Sequence, residues 1–186
     1  MEIKKKTRML TECAVMLSIA TVLSFIKIFE SPFGGSVTLG SMVPLVVLSV
    51  HIKEFKWASL ACFAYALIQM LFGFYAPPAA NVIRFIAVVM LDYVVAFGVI
   101  CLANPVSKMF ENKIIGVSAG AFIACVLRFF CHFTTGILIW GSYAPEGTPV
   151  WMYSLIYNGG YMLPELVITV VLSAVLYTVI EKKSKA

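Results

Sequence analysis

Long stretches without a charged side chain are the feature that most constrains how this chain folds. Residues 57–83 contain no charge, and Asp92, Arg128 and Glu165 are single charges within otherwise apolar sequence. Charged residues make up only 12% of the chain and apolar residues 61%, whereas an ordinary soluble domain is about 25% charged. Such a chain cannot cover a water-exposed surface with polar groups, and it is too apolar to be disordered. The sequence therefore predicts a protein embedded in lipid.

The apolar runs are divided by residues that favour turns. A membrane span needs roughly 20 mainly apolar residues, and Pro32, Pro77-Pro78, Asn104-Pro105 and Pro149 interrupt the pattern. We therefore predict an all-α membrane protein, a six-transmembrane-helix bundle that forms a single integral membrane domain over residues 1–186. The helices are expected at about 8–29, 38–52, 57–75, 81–103, 112–140 and 153–181.

The distribution of lysine and arginine predicts how the bundle is oriented. With the amino terminus inside, the cytoplasmic side holds 11 of the 14 basic residues, namely Lys4, Lys5, Lys6, Arg8, Lys53, Lys56, Lys108, Lys113, Lys182, Lys183 and Lys185. Cytoplasmic loops of membrane proteins are enriched in these residues. We therefore expect a multi-pass protein of the cell membrane with both termini cytoplasmic and the loops 30–37, 75–80 and 141–152 outside.

Several classes of function lack their sequence signals. The five cysteines are scattered through apolar sequence without a C-x-x-C spacing, which argues against a disulfide framework or a metal site. The chain contains no Walker A, GxGxxG or H-E-x-x-H motif. The basic clusters fit membrane orientation rather than nucleic-acid binding. We expect no cofactor, and any energy source must be an ion gradient or a separate subunit.

Polar residues on the predicted fifth helix indicate an intramembrane site. Arg128, His132 and Gly136 are spaced by four residues and share one helix face, and Trp140 continues that stripe. Asp92 on the fourth helix can supply the counter-charge to Arg128. Ionisable groups inside a bilayer are costly and usually pair or line a cavity. The alternative for Asp92 and Arg128 is an ion pair between helices that only stabilises the bundle.

The last predicted helix begins with a stripe of aromatic residues spaced by four: Tyr153, Tyr157 and Tyr161. For Tyr161, as for Trp151, we expect a place in the aromatic belt at the membrane interface. Asn158 needs hydrogen-bond partners within the membrane, from a ligand or from another helix. Glu165 follows Pro164, and the pattern leaves open whether it faces a site or the bundle interior.

Together these groups predict a pocket for a small molecule. Aromatic walls suit a flat ring or a cation, and carboxylate, imidazole and amide groups suit a heterocycle with donors and acceptors. The groups lie in the outer half of the predicted bundle, so the pocket should open outward. No serine or cysteine nucleophile is accompanied by a base and an orienting group. Uptake of a small molecule therefore fits better than catalysis.

The segment from Leu127 to Tyr161, LRFFCHFTTGILIWGSYAPEGTPVWMYSLIYNGGY, closely resembles the fifth and sixth helices of thiamine-specific S components of energy-coupling factor (ECF) transporters. LTECAVM near the amino terminus, GGSVTLGSMVP at 34–44 and LDYVVAF at 91–97 support the resemblance, which covers nearly the whole chain in order. It implies six helices with cytoplasmic termini and high-specificity uptake of thiamine. It also implies partnership with a transmembrane coupling subunit and two cytoplasmic ATPase subunits, within membrane lipid.

The resemblance also implies roles for individual residues. The acid expected to bind the aminopyrimidine of thiamine falls on Asp92, next to Tyr93. The basic residue, the histidine and the stacking aromatic fall on Arg128, His132 and Trp140, and we add Gly136 between them. From the last helix, Tyr153 and Asn158 complete the expected ligand-binding set. The small residues that dock the coupling subunit correspond to Ala14 and Ser18, although ordinary packing within the bundle explains that pair equally well.

Two other functions stay open at this stage. An S component for a different vitamin would share the same architecture. An intramembrane enzyme could use Asp92 and His132 as acid and base. The resemblance favours a binding subunit that is not an enzyme over both alternatives.

Overall fold

A computed structural model describes residues 2–52, 54–78 and 81–185. Within them the chain forms six helices, here called α1 (Glu2–Phe25), α2 (Val43–His51), α3 (Phe55–Gly73), α4 (Val82–Ser107), α5 (Lys113–Leu138) and α6 (Val150–Lys185). Two short strands, β1 (Lys27–Glu30) and β2 (Ser36–Thr38), form an antiparallel hairpin between α1 and α2.

The predicted helical membrane fold is confirmed, with different helix boundaries. Five of the six helices in the described part of the chain are long and apolar enough to cross a membrane. The exception is α2, because its nine residues span only about 14 Å, against a hydrocarbon core of roughly 30 Å. The first helix begins at residue 2 rather than 8, and the last extends over 150–185 rather than 153–181.

The hairpin corrects the predicted end of the first helix at residue 29. Phe29 lies opposite Val37 in the strand pair, and the connecting turn contains Pro32, with Phe33 and Gly34 at positive φ. Proline and a left-handed turn end helical geometry. Residues 26–38 therefore fold back over the end of the bundle instead of extending α1 or forming an open loop.

The hairpin reaches into the bundle and is held there by a buried carboxylate. Glu165 accepts hydrogen bonds from the backbone N–H and the hydroxyl of Thr38, both at 2.7 Å. Glu165 is the sixteenth residue of α6, so this contact lies about 22 Å along the helix axis. Non-helical backbone is stable at such a depth only when protein surrounds it. Glu165 therefore faces the interior of the bundle rather than the lipid.

Small residues let α4 and α5 pack closely. A Cβ atom at Gly116 would lie 2.6 Å from the carbonyl oxygen of Ser107, and one at Gly120 would lie 2.9 Å from the backbone of Ala103. Membrane helices associate through this kind of close backbone contact. These two glycines bring α5 against the carboxyl-terminal half of α4 and so help to position the residues of the site.

The end of the bundle opposite the hairpin carries polar contacts between connections. Lys5 and Glu54 form an ion pair at 2.6 Å, and this hydrogen bond lowers the pKa of the Glu54 carboxyl. Asn104 donates to the carbonyl groups of Ser49, in the last turn of α2, and Ile52, just after that helix. The amino terminus and the 52–54 connection therefore share one end. Lys53 and the side chain of Lys185 lie outside the described residues, and the cytoplasmic location of this end stays a prediction.

Candidate functional site

One cavity, next to the hairpin, brings together the predicted ligand-binding residues. It has a volume of about 160 Å³, whereas a single water needs only about 10–15 Å³. It therefore has room for a small organic molecule. Its wall includes every residue of the predicted set: Asp92, Tyr93, Arg128, His132, Gly136, Trp140, Tyr153 and Asn158.

Asp92 is the centre of the polar side of this cavity. Its Oδ1 atom lies 3.0 Å from Nδ1 of His132 and also accepts a hydrogen bond from the hydroxyl of Thr135. Its Oδ2 atom accepts a hydrogen bond from the indole N–H of Trp140 at 3.1 Å. Residues of α4, of α5 and of the turn after α5 therefore meet at one carboxylate. A buried carboxylate needs such partners because it has lost its hydration.

An irregular segment of α4 positions Asp92 and Tyr93. Val89–Val95 forms a π-helical stretch, which was not predicted, and such stretches are frequent at functional sites. The hydroxyl of Tyr93 donates to the carbonyl of Gly73 and accepts from the backbone N–H of Tyr75, both at 2.9 Å. Tyr93 therefore ties α4 to the end of α3, and its hydroxyl is used within the protein.

Arg128 does not pair with Asp92, contrary to the sequence-based expectation. Its Nη1 atom donates to the sulfur of Met42 at 3.1 Å, and its guanidinium carbon lies 4.6 Å from the ring centre of Phe97. Its Nε atom is buried and has no hydrogen-bond partner among the described residues. The partner of Asp92 is His132 instead, one turn further along α5. The ion pair between helices is therefore wrong as predicted.

Trp140 contacts the site from a turn after α5, whereas the sequence placed it on the fifth helix. The α5 helix ends at Leu138, and Trp140 begins a 3₁₀ turn that extends to Tyr143. The indole is nearly parallel to the Tyr143 ring at a centroid distance of 6.2 Å, and it lies 5.7 Å from the Tyr75 ring. Phe33 of the hairpin stacks on the Tyr143 ring, with a centroid distance of 4.2 Å. These rings form an aromatic wall, which suits a flat or cationic ligand.

The amide of Asn158 finds its partners within the protein. Its nitrogen donates to the carbonyl groups of His132, at 3.2 Å, and Ser154, at 3.0 Å, and its oxygen accepts from the hydroxyl of Tyr161 at 2.9 Å. Asn158 therefore joins α6 to α5 at the cavity wall. Tyr161 is only 6% exposed, so its expected place in an interfacial belt is wrong, whereas Trp151 is exposed.

Gly136 lines the cavity and also sets the distance between two helices. A Cβ atom there would lie 2.1 Å from Oγ of Ser154 and 3.0 Å from Nδ2 of Asn158. Because real Cβ atoms do not approach other atoms so closely, this position needs glycine for the packing of α5 on α6.

Comparison with known protein families gives a match over most of the chain. Residues 10–185 match the family described as thiamine transporter protein (Thia_YuaJ). The chain belongs to this family. The match includes α2 to α6, most of α1 and every residue of the cavity named above, so this is a multi-pass membrane protein of a thiamine transporter family.

Individual relatives extend the comparison. The chain is 33% identical to a thiamine transporter ThiT of Bacillus subtilis (strain 168) over 180 residues, which is 90% of this chain and 89% of the relative. It is 29% identical to a thiamine transporter ThiT of Lacticaseibacillus paracasei over 189 residues, covering 96% and 91%.

Two solved structures are similar in fold. ThiT from Listeria monocytogenes superposes with a TM-score of 0.74 at 26% identity, over 96% of this chain and 97% of that one. A structure of the S component of a bacterial ECF transporter superposes with a TM-score of 0.57 at 14% identity, over 97% and 96%. The second similarity concerns the fold alone.

Several residues of the cavity in this thiamine transporter family member were not selected from the sequence. They are Phe33, Gln69, Tyr75, Thr135, Tyr143 and Tyr157. Tyr157 lies on the noted tyrosine stripe, and Gln69 is a polar residue within an apolar helix, so both carried a signal. The hairpin and the turn after α5 bring Phe33 and Tyr143 to the cavity, and Tyr75 lies just beyond the end of α3, where periodicity gives no prediction. Thr135 lies within α5, three residues after His132. Among the described residues, no three His, Cys, Asp or Glu side chains cluster closely enough to hold a metal ion.

Proposed function

We propose that this protein binds thiamine in the cavity next to the hairpin and is the substrate-binding S component of an ECF transporter. The observation that carries the proposal is the convergence of eight residues, chosen from spacing and resemblance, on the wall of one cavity. Membership of the thiamine transporter protein family supports the same substrate. We retain the prediction that residues 1–186 form one integral membrane domain.

The chemistry of the cavity matches the two rings of thiamine. The carboxylate of Asp92, held by His132 and Trp140, can accept a further hydrogen bond from the exocyclic amino group of the aminopyrimidine. The thiazolium ring is a cation, and the faces of Trp140, Tyr143 and Tyr75 can hold it through cation–π attraction. Tyr153 and Tyr157 stack nearby, with centroids 5.8 Å apart, and extend this aromatic surface.

We propose binding without catalysis. Asp92 and His132 are in hydrogen-bond contact and could serve as an acid–base pair in an intramembrane enzyme. The carboxylate, however, already accepts hydrogen bonds from two further donors, as expected of a group that orients a ligand. Recovering the ligand by mass spectrometry after prolonged incubation distinguishes the two functions, because a binding subunit returns thiamine unchanged.

The chain requires partners for transport under this proposal. We propose a transmembrane coupling subunit and two cytoplasmic ATPase subunits, with Ala14 and Ser18 at the interface. Both residues are exposed on α1, which supports a place at an interface. The Ser18 hydroxyl donates to the carbonyl of Ala14 at 2.8 Å, so this small and internally satisfied surface suits a closely packed partner helix.

Titration of the purified protein with thiamine, followed by tryptophan fluorescence, tests the proposal. Thiamine should change the emission of Trp140 saturably, and riboflavin and biotin should not. Trp140→Phe should abolish the signal, whereas Trp151→Phe, on an exposed residue, should retain it. Saturable binding of another vitamin without binding of thiamine would overturn the assignment of the substrate.

A further inference from the structure

Gln69 is a buried hydrogen-bond donor that the residues named so far do not explain. It lies on α3 among apolar residues, and its Nε2 atom is buried without a hydrogen-bond partner among the described residues. Leaving a buried donor unpaired is costly, particularly within a bilayer. Its side chain lines the candidate cavity, so the missing acceptor can come from a ligand.

Arg128 presents a second unpaired donor at the same place. Its Nε atom also lacks a hydrogen-bond partner within residues 2–52, 54–78 and 81–185. Arg128 and Gln69 both line the candidate cavity and a second cavity that adjoins it beneath the hairpin. Glu165 lines the second cavity as well, but its carboxylate accepts two hydrogen bonds from Thr38. The junction of the two cavities therefore has two donors that await an acceptor.

The charge of Arg128 decides which part of thiamine can approach this junction. The thiazolium ring is a cation and is repelled by the guanidinium, and the hydroxyethyl group is attached to that ring. The aminopyrimidine is neutral and has two ring nitrogens that accept hydrogen bonds. We infer that Gln69 is a further ligand-binding residue, which donates from its carboxamide to a pyrimidine ring nitrogen. This inference rests on thiamine as the substrate.

The dissociation constants of thiamine and of two analogues, measured for the wild-type protein and for variants of Gln69, test the inference. Gln69→Met keeps the approximate length of the side chain and removes the donor, so the dissociation constant for thiamine should rise about tenfold. Two analogues carry CH in place of one or the other ring nitrogen. One of them should bind the wild-type protein about tenfold more weakly and should lose little further affinity in Gln69→Met. Gln69→Leu provides a second variant if the first does not fold.

Ser173→Ala is the matched control, because the Ser173 hydroxyl is buried and finds no hydrogen-bond partner in the part of the chain that the structure describes, but lies outside the cavity. It should leave the affinity for thiamine unchanged. Unchanged affinity in Gln69→Met, or an equal loss for thiamine and both analogues, would overturn the inference and leave thiamine binding intact. Failure of the wild-type protein to bind thiamine would instead overturn the proposed function.

Discussion

Asp92 organises the site because three donors share its two carboxylate oxygens. His132 and Thr135 meet Oδ1 and Trp140 meets Oδ2, so the imidazole and the indole are oriented by the same group. Hydrogen bonds to a charged acceptor are stronger and more directional than neutral ones. The carboxylate therefore orients the side chains that would contact the ligand, in addition to any contact of its own.

Asp92→Ala should weaken thiamine binding by more than tenfold. The change removes the acceptor of the ligand and leaves the donors of His132 and Trp140 unpaired, and a hydrogen bond to a charged group contributes about 1.5–3 kcal/mol. Asp92→Asn should be intermediate, because it keeps one acceptor oxygen. Isothermal titration measures the dissociation constants, with Glu146→Ala, an exposed carboxylate, as the control. Unchanged affinity in a folded Asp92→Ala protein would contradict this role.

At the scale of elements, the site depends on how closely α5 and α6 approach. Gly136 faces Ser154 at the crossing, and Asn158 links the same two helices through the carbonyl of His132. The hairpin closes the cavity from another side, where Tyr157 of α6 donates to the carbonyl of Pro32 and accepts from the N–H of Gly35. The cavity wall is thus assembled from contacts between elements.

Gly136→Ala should destabilise the protein. The added methyl group would overlap Ser154, and overpacking of this kind costs about 1–3 kcal/mol, which corresponds to a fall in melting temperature of about 2–10 °C. Thermal unfolding in detergent measures the effect. Gly160→Ala is the control, because nothing lies within 4 Å of a Cβ atom there. Gly136→Ala combined with Ser154→Ala should recover part of the loss, and no recovery would argue against the proposed contact.

At the scale of the molecule, the cavity and the basic clusters lie at opposite ends. The hairpin, the turn after α5 and the start of α6 surround the cavity, whereas Lys5 meets Glu54 at the far end. Basic residues favour the cytoplasmic side. The two observations together predict that the entrance to the cavity lies on the outer face of the membrane, as uptake requires.

Labelling with a membrane-impermeant maleimide in intact cells tests this orientation. Ser142→Cys, in the turn after α5, should be labelled, whereas Lys182→Cys should react only after permeabilisation. The wild-type protein is the control, because four of its cysteines are buried and Cys131 is half-buried. The reverse pattern would show that the cavity opens to the cytoplasm.

Some features of the site could be predicted from the sequence, and others could not. The i, i+4, i+8 spacing of Arg128, His132 and Gly136 depends only on helix geometry, and these residues do share the cavity. The prediction that Arg128 pairs with Asp92 was wrong. The π-helical stretch of α4 and the end of α5 at Leu138 decide which donors reach the Asp92 carboxylate. The hairpin was missed, since strands of four and three residues are too short to show an alternating pattern.

The sequence by itself determined the membrane environment and the helical class, because hydropathy and helical period are local properties, and spacing together with resemblance selected eight of the residues that line the cavity. The tertiary structure alone decided which donor meets which acceptor, how deeply the hairpin extends into the bundle and that Gln69 lines the cavity. Those features depend on contacts between residues far apart in the chain, where a shift of one turn exchanges one partner for another.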